Sequence, residues 1–284
     1  MTVTAPDDPQ ALRALLGFYA EAGVDTPLKD EPVDRFAVAV KPDMGAAQQK
    51  AEPQEKVQPA APERPRQSPP PKPAPATAAV PDEAQAALAR SLASQAASLD
   101  ELRDMMAKFD GCNLKFTAKN LVFADGNPLA SVMLVGEAPG RDEDLEGLPF
   151  VGRSGQLLDR MLAAIGLDRG SAYIANVIPW RPPGNRTPTP HETEICRPFI
   201  ERQIELVNPR VLVNLGGPSA KTLLKTTEGI LRMRGNWRTY TTASGTAIPA
   251  MPALHPAYLL RTPAHKKLAW RDFLEVKAKL RELS

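Results

Sequence analysis

The sequence has little cysteine, two residues in 284. Two thiols cannot build the disulfide framework of a small secreted domain, nor an all-cysteine site with four ligands for zinc or iron–sulfur. Long apolar runs are also missing: no stretch approaches the roughly 20 residues that a membrane span needs. The N-terminus, MTVTAPDDPQ, lacks the basic-then-apolar layout of a secretion signal. Histidine is scarce, with three residues, and no internal repeat is visible. These absences predict a cytoplasmic protein with no membrane association.

Proline is plentiful by contrast, at 30 residues, roughly double the usual share. It concentrates in residues 52–81, which include PAAPERPRQSPPPKPAPATAAVP and almost no bulky apolar side chain. Such a stretch buries too little surface to offset its ordering entropy, so an extended linker is expected. Ahead of it, Leu12, Leu15, Leu16 and Tyr19 recur at helical spacing, a short amphipathic helix that either docks back or meets a partner. The organisation read from this is a helical segment over 1–30, a disordered Pro/Ala-rich linker over 31–84 and a catalytic domain over 85–284. Charge follows the same division. Residues 1–100 hold 10 Lys/Arg against 14 Asp/Glu, a balance of −4, while residues 101–284 hold 25 against 19, a balance of +6. A basic C-terminal part suits a polyanionic partner, which the acidic balance of the arm does not.

From about residue 100 onward, short apolar runs alternate with helical stretches. SVMLV (131–135), AYIANVI (172–178) and RVLVNLG (210–216) read as buried strands, and 155–166 and 191–207 as helices. That alternation predicts parallel β-α-β units, hence a three-layer α/β/α fold around a mostly parallel, four-stranded sheet. Residues 82–108 are expected as helix, 239–251 as a hairpin, and Thr262 with Pro263 as the start of a C-terminal helix. In such open sheets ligands bind beyond the C-terminal strand ends. The segments following the strands are therefore where chemistry belongs.

Four segments qualify. GEAPGRDED (136–144) follows the first strand and crowds Glu137, Asp142, Glu143 and Asp144. No Gly-Lys-Ser/Thr follows, so it is not a phosphate-binding Walker loop. It is either a Gly/Pro turn with solvated acids or a magnesium-type site. Phe150 lies in LPFVGRSGQLLD (148–159), as core or as a stacking surface. Asn176 sits in an otherwise apolar strand, where its amide must find partners in backbone or ligand. ALHPAYLLR (253–261) places His255 before Tyr258, Leu259, Leu260 and Arg261. That is an apolar wedge beside a cation, suited to the DNA minor groove, or else a core corner.

Taken in order, GEAPGRDEDLEGLPFVGRSGQLLD, YIANVIPWRPPGNRTP and LHPAYLLR resemble the uracil-DNA glycosylase superfamily, and within it family 4, over residues 103–280. The resemblance implies hydrolysis of the N-glycosidic bond of uracil in DNA, leaving an abasic site for base-excision repair. A monomer is expected, with the acidic arm binding no DNA itself and reaching another repair or replication protein. It implies that Glu137 is the acid beside base and sugar and that Ala138 lines the base site. Phe150 then stacks on the flipped uracil, Asn176 reads its edge and His255 donates to its oxygen. Ala257, Tyr258, Leu259, Leu260 and Arg261 match the loop that enters DNA. Alternatives left open are a glycosylase of shifted range (hypoxanthine, xanthine, modified cytosine) and a non-catalytic damaged-DNA-binding protein. The covalent, uracil-crosslinking branch carries a basic insertion ending in histidine, which GNRTPTPHETEIC lacks, so His191 is expected only to cap a helix or face solvent.

The sequence departs from family 4 in one respect. That family holds an iron–sulfur cluster on four cysteines, and here Cys112 and Cys196 fill two of the positions while Phe109 and Trp180 fill the others. Neither ring offers a ligand atom. No cluster, no metal and no other cofactor are expected, with the two aromatics filling the cluster's volume.

Overall fold

In the computed structural model, residues 83–283 are described; the expected arm helix and most of the linker, residues 1–82, lie outside them. Two helices open the described part, α1 (Glu83–Gln95) and α2 (Leu99–Lys108), where one continuous helix was expected. The break comes at Ser98, whose hydroxyl accepts from the Glu101 N–H while Glu101 Oε2 accepts from the Ala97 N–H at 2.7 Å. The Ser98 hydroxyl thereby satisfies one of the free N–H groups at the start of a new helix. The Ala96 carbonyl freed by the break accepts from Arg202 at 2.8 Å and 3.1 Å.

The remaining elements are α3 (Leu114–Thr117), β1 (Asp125–Gly126), β2 (Val132–Gly136), α4 (Arg141–Glu146), α5 (Arg153–Ile165), β3 (Ala172–Asn176), α6 (Pro190–Val207), β4 (Val211–Leu215), α7 (Gly217–Leu224), α8 (Ile230–Met233), β5 (Arg238–Thr241), β6 (Ala247–Ala253), α9 (Pro256–Arg261) and α10 (Lys266–Glu282). The sheet has six strands in the order β1-β3-β2-β4-β6-β5, not four. Its centre, β3-β2-β4-β6, is parallel, and β1 and β5 add antiparallel edges. Two-residue β1 is too short to show any period. The expected hairpin is β5 and β6, but β6 also pairs parallel with β4, which local spacing does not reveal.

Every residue of β2, β3 and β4 is buried, as a sheet covered on both faces requires. Strand alternation divides the core. Met133, Val135, Tyr173, Ala175 and Leu212 face one side with α1, α2 and α6, whereas Val132, Leu134, Ile174 and Val213 face α5 and α10. The result is the expected three-layer α/β/α arrangement. Thr262 makes no side-chain cap: it leads into a single 3-10 turn, Pro263–His265, and α10 starts only after that turn. Nor does His191 cap α6, since Thr189 and Glu192 do so reciprocally. Among the described residues no helix is long and apolar enough to cross a membrane.

Candidate active site

The parallel strands all end at one side of the sheet, where their following loops enclose a cleft of about 530 Å³. Glu137, Ala138, Phe150, Asn176, His255 and Ala257 all line it, so residues separated by up to 120 positions in the chain meet at one place.

Of the four acids of the first loop, Asp142 is exposed, and the other three separate by their bonds. Glu143 is buried and occupied: Oε1 accepts from the Val151 and Gly152 N–H groups, both at 3.1 Å, and Oε2 from Gly140 N–H at 3.0 Å. Asp144 likewise accepts from Lys119 and Asn120 N–H groups. These carboxylates hold loops in place, and Asp144 Oδ2 faces Arg181 at 4.0 Å. Glu137 has no such commitment, and burial raises its carboxyl above the ordinary value. Among the described residues no group of three or more His, Cys, Asp or Glu is placed to hold a metal.

Asn176 ends β3, 5% exposed, and its Oδ1 has no partner among the described residues. A buried acceptor left unpaired costs about 1–3 kcal/mol, which a ligand's N–H would relieve. Its room comes from Gly136, paired with it across the sheet: a Cβ there would lie 2.3 Å from Asn176 Oδ1 and 2.7 Å from the Phe150 ring. Phe150 has φ +55°, and its ring stacks on His255 with centroids 5.5 Å apart.

His255 immediately precedes α9, where its Nδ1 accepts from the Ala257 N–H at 3.1 Å. An imidazole that accepts at Nδ1 carries its proton on Nε2. Burial, followed by the nearby Arg261 cation, pushes its pKa down to about 4, so the ring is neutral near pH 7 and still a donor. Gly216, with φ +94°, turns the chain beside it.

The 257–261 loop divides. Leu259 is 1% exposed and packs against Leu157, Leu254 and Ala269, so it is a core residue and not part of a wedge. On the same turn of helix Tyr258 and Leu260 pack on the edge of that cluster. Tyr258 and Leu260 are half-buried and Arg261 is exposed.

Comparison with known proteins agrees with this architecture. The family model described as the uracil DNA glycosylase superfamily matches residues 123–274. Relatives named type-4 uracil-DNA glycosylase include one from Saccharolobus solfataricus, 39% identical over 64% of this chain and 87% of the relative. Another, from Archaeoglobus fulgidus, is 40% identical over 63% and 92%. A third, from Thermotoga maritima, is 37% identical over 59% and 86%. The chain belongs to the uracil DNA glycosylase superfamily.

In this superfamily member the most important support residue gave no signal in the sequence. Arg169, between α5 and β3, donates to the carbonyls of Phe150 and, at 3.2 Å, Pro149, while Asp125 (2.5 Å) and Asp159 (2.8 Å) hold its guanidinium. Gly155 completes the support, since a Cβ there would sit 1.6 Å from the Phe150 carbonyl oxygen. A non-glycine residue at positive φ persists only when its surroundings over-determine it. Arg169→Ala is therefore expected to lower kcat/KM for base release by about 10²-fold through misplacement of the ring, with the fold retained by circular dichroism. Arg169's partners lie 10 to 44 residues away in sequence, beyond any local motif. The Gly216-Gly217-Pro218 turn, which also lines the cleft, was findable from its place after β4.

The four positions read as the family's cluster cysteines lie in the core on the α1, α2 and α6 side of the sheet. Phe109, Cys112, Trp180 and Cys196 are all buried in one core. The Cys196 thiol donates to Cys112 Sγ at 3.7 Å, and that bond, with burial, pushes the Cys196 thiol up. Phe109 packs edge-on against Phe199, centroids 5.1 Å apart. Two touching thiols and two rings do not fit an iron–sulfur cluster, which needs four ligands at its corners.

Proposed function

We propose that this chain is a monofunctional uracil-DNA glycosylase, and that the observation carrying the assignment is the neutral His255 with its proton fixed on Nε2. A base within a duplex cannot be reached, so the nucleotide flips out at a cost of a few kcal/mol. The open Oδ1 of Asn176 accepts from uracil N3–H and its amide N–H donates to O4. Cytosine lacks the N3 proton and presents a donor at position 4, so it is refused. Phe150 supplies apolar surface for the base in place of the lost stack.

Cleavage of the glycosidic bond leaves negative charge on uracil and positive charge on the sugar. His255 Nε2–H donates to the uracil oxygen where that charge develops, and because the donor is already oriented it reorganises little. The uncommitted carboxylate of Glu137 favours the sugar cation and orients the attacking water. Atoms balance: water's hydroxyl joins C1′, its proton leaves through Glu137 or solvent, and uracil departs as the anion before protonation.

The experiment is strand scission of an end-labelled oligonucleotide with one uracil, in EDTA, followed by alkali. Cleavage at uracil alone supports the reading, and its absence with well-folded protein overturns it. The same reading includes no iron–sulfur cluster, with Phe109 and Trp180 bracing by packing the loops that a cluster would hold. Purified anaerobically, the protein is expected to show no stoichiometric iron or sulfide and no visible charge-transfer band; finding both would sink this part of it.

A further inference from the structure

From Gly229 through Arg271 the chain carries no aspartate or glutamate, yet seven Lys/Arg. The two flanking acids are already engaged: Glu228 pairs with Arg238 at 2.8 Å, and Asp272 with Arg234 at 2.8 Å. Five cations remain, Arg232, Arg261, Lys266, Lys267 and Arg271, all exposed and none in an ion pair among the described residues. Elsewhere Arg169, Arg181, Arg186, Arg197 and Arg202 are all paired. Exposed cations without an ion pair occur elsewhere too, Arg90, Arg103 and Lys108 among them, but this stretch carries five with no acid between them in the sequence.

Packing joins these cations into one surface. Arg234, at the end of α8, donates to the Leu268 carbonyl at 3.0 Å as well as to Asp272, tying α8 to the first turns of α10. Ile230 from α8, Tyr258 and Leu260 from α9, and Leu268 from α10 pack on the same small cluster of Leu157, Leu254, Leu259 and Ala269. Ile230, Tyr258 and Arg261 also line the cleft. The surface therefore begins at the cleft's edge and runs away from it. Lys267 and Arg271, four residues apart on α10, share one helix face.

We propose that Arg232, Arg261, Lys266, Lys267 and Arg271 form a phosphate track that holds the DNA flanking the flipped nucleotide. The proposal rests on the glycosylase reading above and extends it from the base site to the backbone. Long, flexible cations in a field of one sign suit a polyanion and carry no base readout, so the track sets affinity and salt dependence without affecting which base is released.

The test is the Lys266→Gln/Lys267→Gln/Arg271→Gln variant, which leaves the cleft residues intact. On undamaged long duplex, followed by anisotropy, the slope of log K against log salt is expected to fall by about 2–3, since each lost phosphate contact removes about 0.9. On a long uracil duplex kcat/KM is expected to drop about tenfold or more at physiological salt, with kcat at saturation unchanged. A short uracil trinucleotide, with no flank to bind, is expected to be processed as by wild type. An unchanged slope overturns the track. So does an equal loss on the trinucleotide, which would place the defect in the cleft or the fold. So would an equal slope change in an Arg90→Gln/Arg103→Gln/Lys108→Gln control, whose cations sit on the helices covering the other face of the sheet. If wild type releases no uracil, the glycosylase reading fails, and the slope on undamaged duplex still decides the track.

Discussion

Substituting His255 by alanine is expected to lower kcat for uracil release by about 10²–10³-fold, the usual effect of removing one preorganised donor to a developing anion. KM is expected to change little, because the bond forms fully only as charge moves onto the base. Stopped single-turnover kinetics on a uracil oligonucleotide separate the two. His255→Gln gives a sharper comparison, since its amide can still donate, though from a less constrained side chain. It is expected to recover part of the loss. Equal kcat in wild type and His255→Ala would overturn the donor role.

The pH behaviour provides a second readout for the same residue. With the folded pKa pushed down to about 4, His255 stays neutral from pH 5 upward and imposes no acid limb near 6.5. In the unfolded chain it titrates near 6.5. Between those values the unfolded state binds more protons, so this histidine makes stability rise with pH from about 4 to about 6.5 and contributes no slope above that window. The melting temperature of wild type is therefore expected to fall on acidification through that window more steeply than that of His255→Gln.

How much of this was legible in the sequence depends on how far apart the cooperating residues lie. The buried strands at 131–135, 172–178 and 210–216 announce themselves because both faces of a parallel strand are apolar, and with them comes the layer order. The residues at their ends, Glu137, Asn176 and His255, follow from the rule that ligands sit beyond C-terminal strand ends. What did not show was anything decided across the fold. Leu259 and Leu260 are indistinguishable in sequence, and only the turn of α9 sends the first into the Leu157–Leu254 core. Glu137 and Glu143 are equally acidic on the page, and only the backbone N–H groups of Val151 and Gly152 show which one is occupied. The break at Ser98 was visible as a capping pattern, but the alanine-rich run before it and the strong helix formers after it mask it.

Gly136→Ala is the substitution expected to damage the base site most for its size. Gly136 ends β2 in the middle of the sheet without a positive φ, so alanine fits its backbone and the strand is expected to persist. The new methyl would meet Asn176 Oδ1 at 2.3 Å and the Phe150 ring at 2.7 Å and 2.9 Å, so one neighbour must move. Phe150 cannot give easily, since Arg169 holds its carbonyl and Gly155 packs under its backbone. The amide of Asn176 therefore swings away, and with it the pair of bonds that reads uracil. A site built around such bonds loses heavily when they fail, and kcat/KM is expected to fall by about 10²-fold or more, with affinity for undamaged duplex unchanged. The cycle with Asn176→Ala settles the route. If Gly136→Ala acts by displacing the amide, the double variant is no worse than Asn176→Ala alone, because residues acting through one contact do not add. Additive losses would instead mean that the methyl disturbs Phe150 or the strand itself, and that Gly136 is not there to make room for the reading amide.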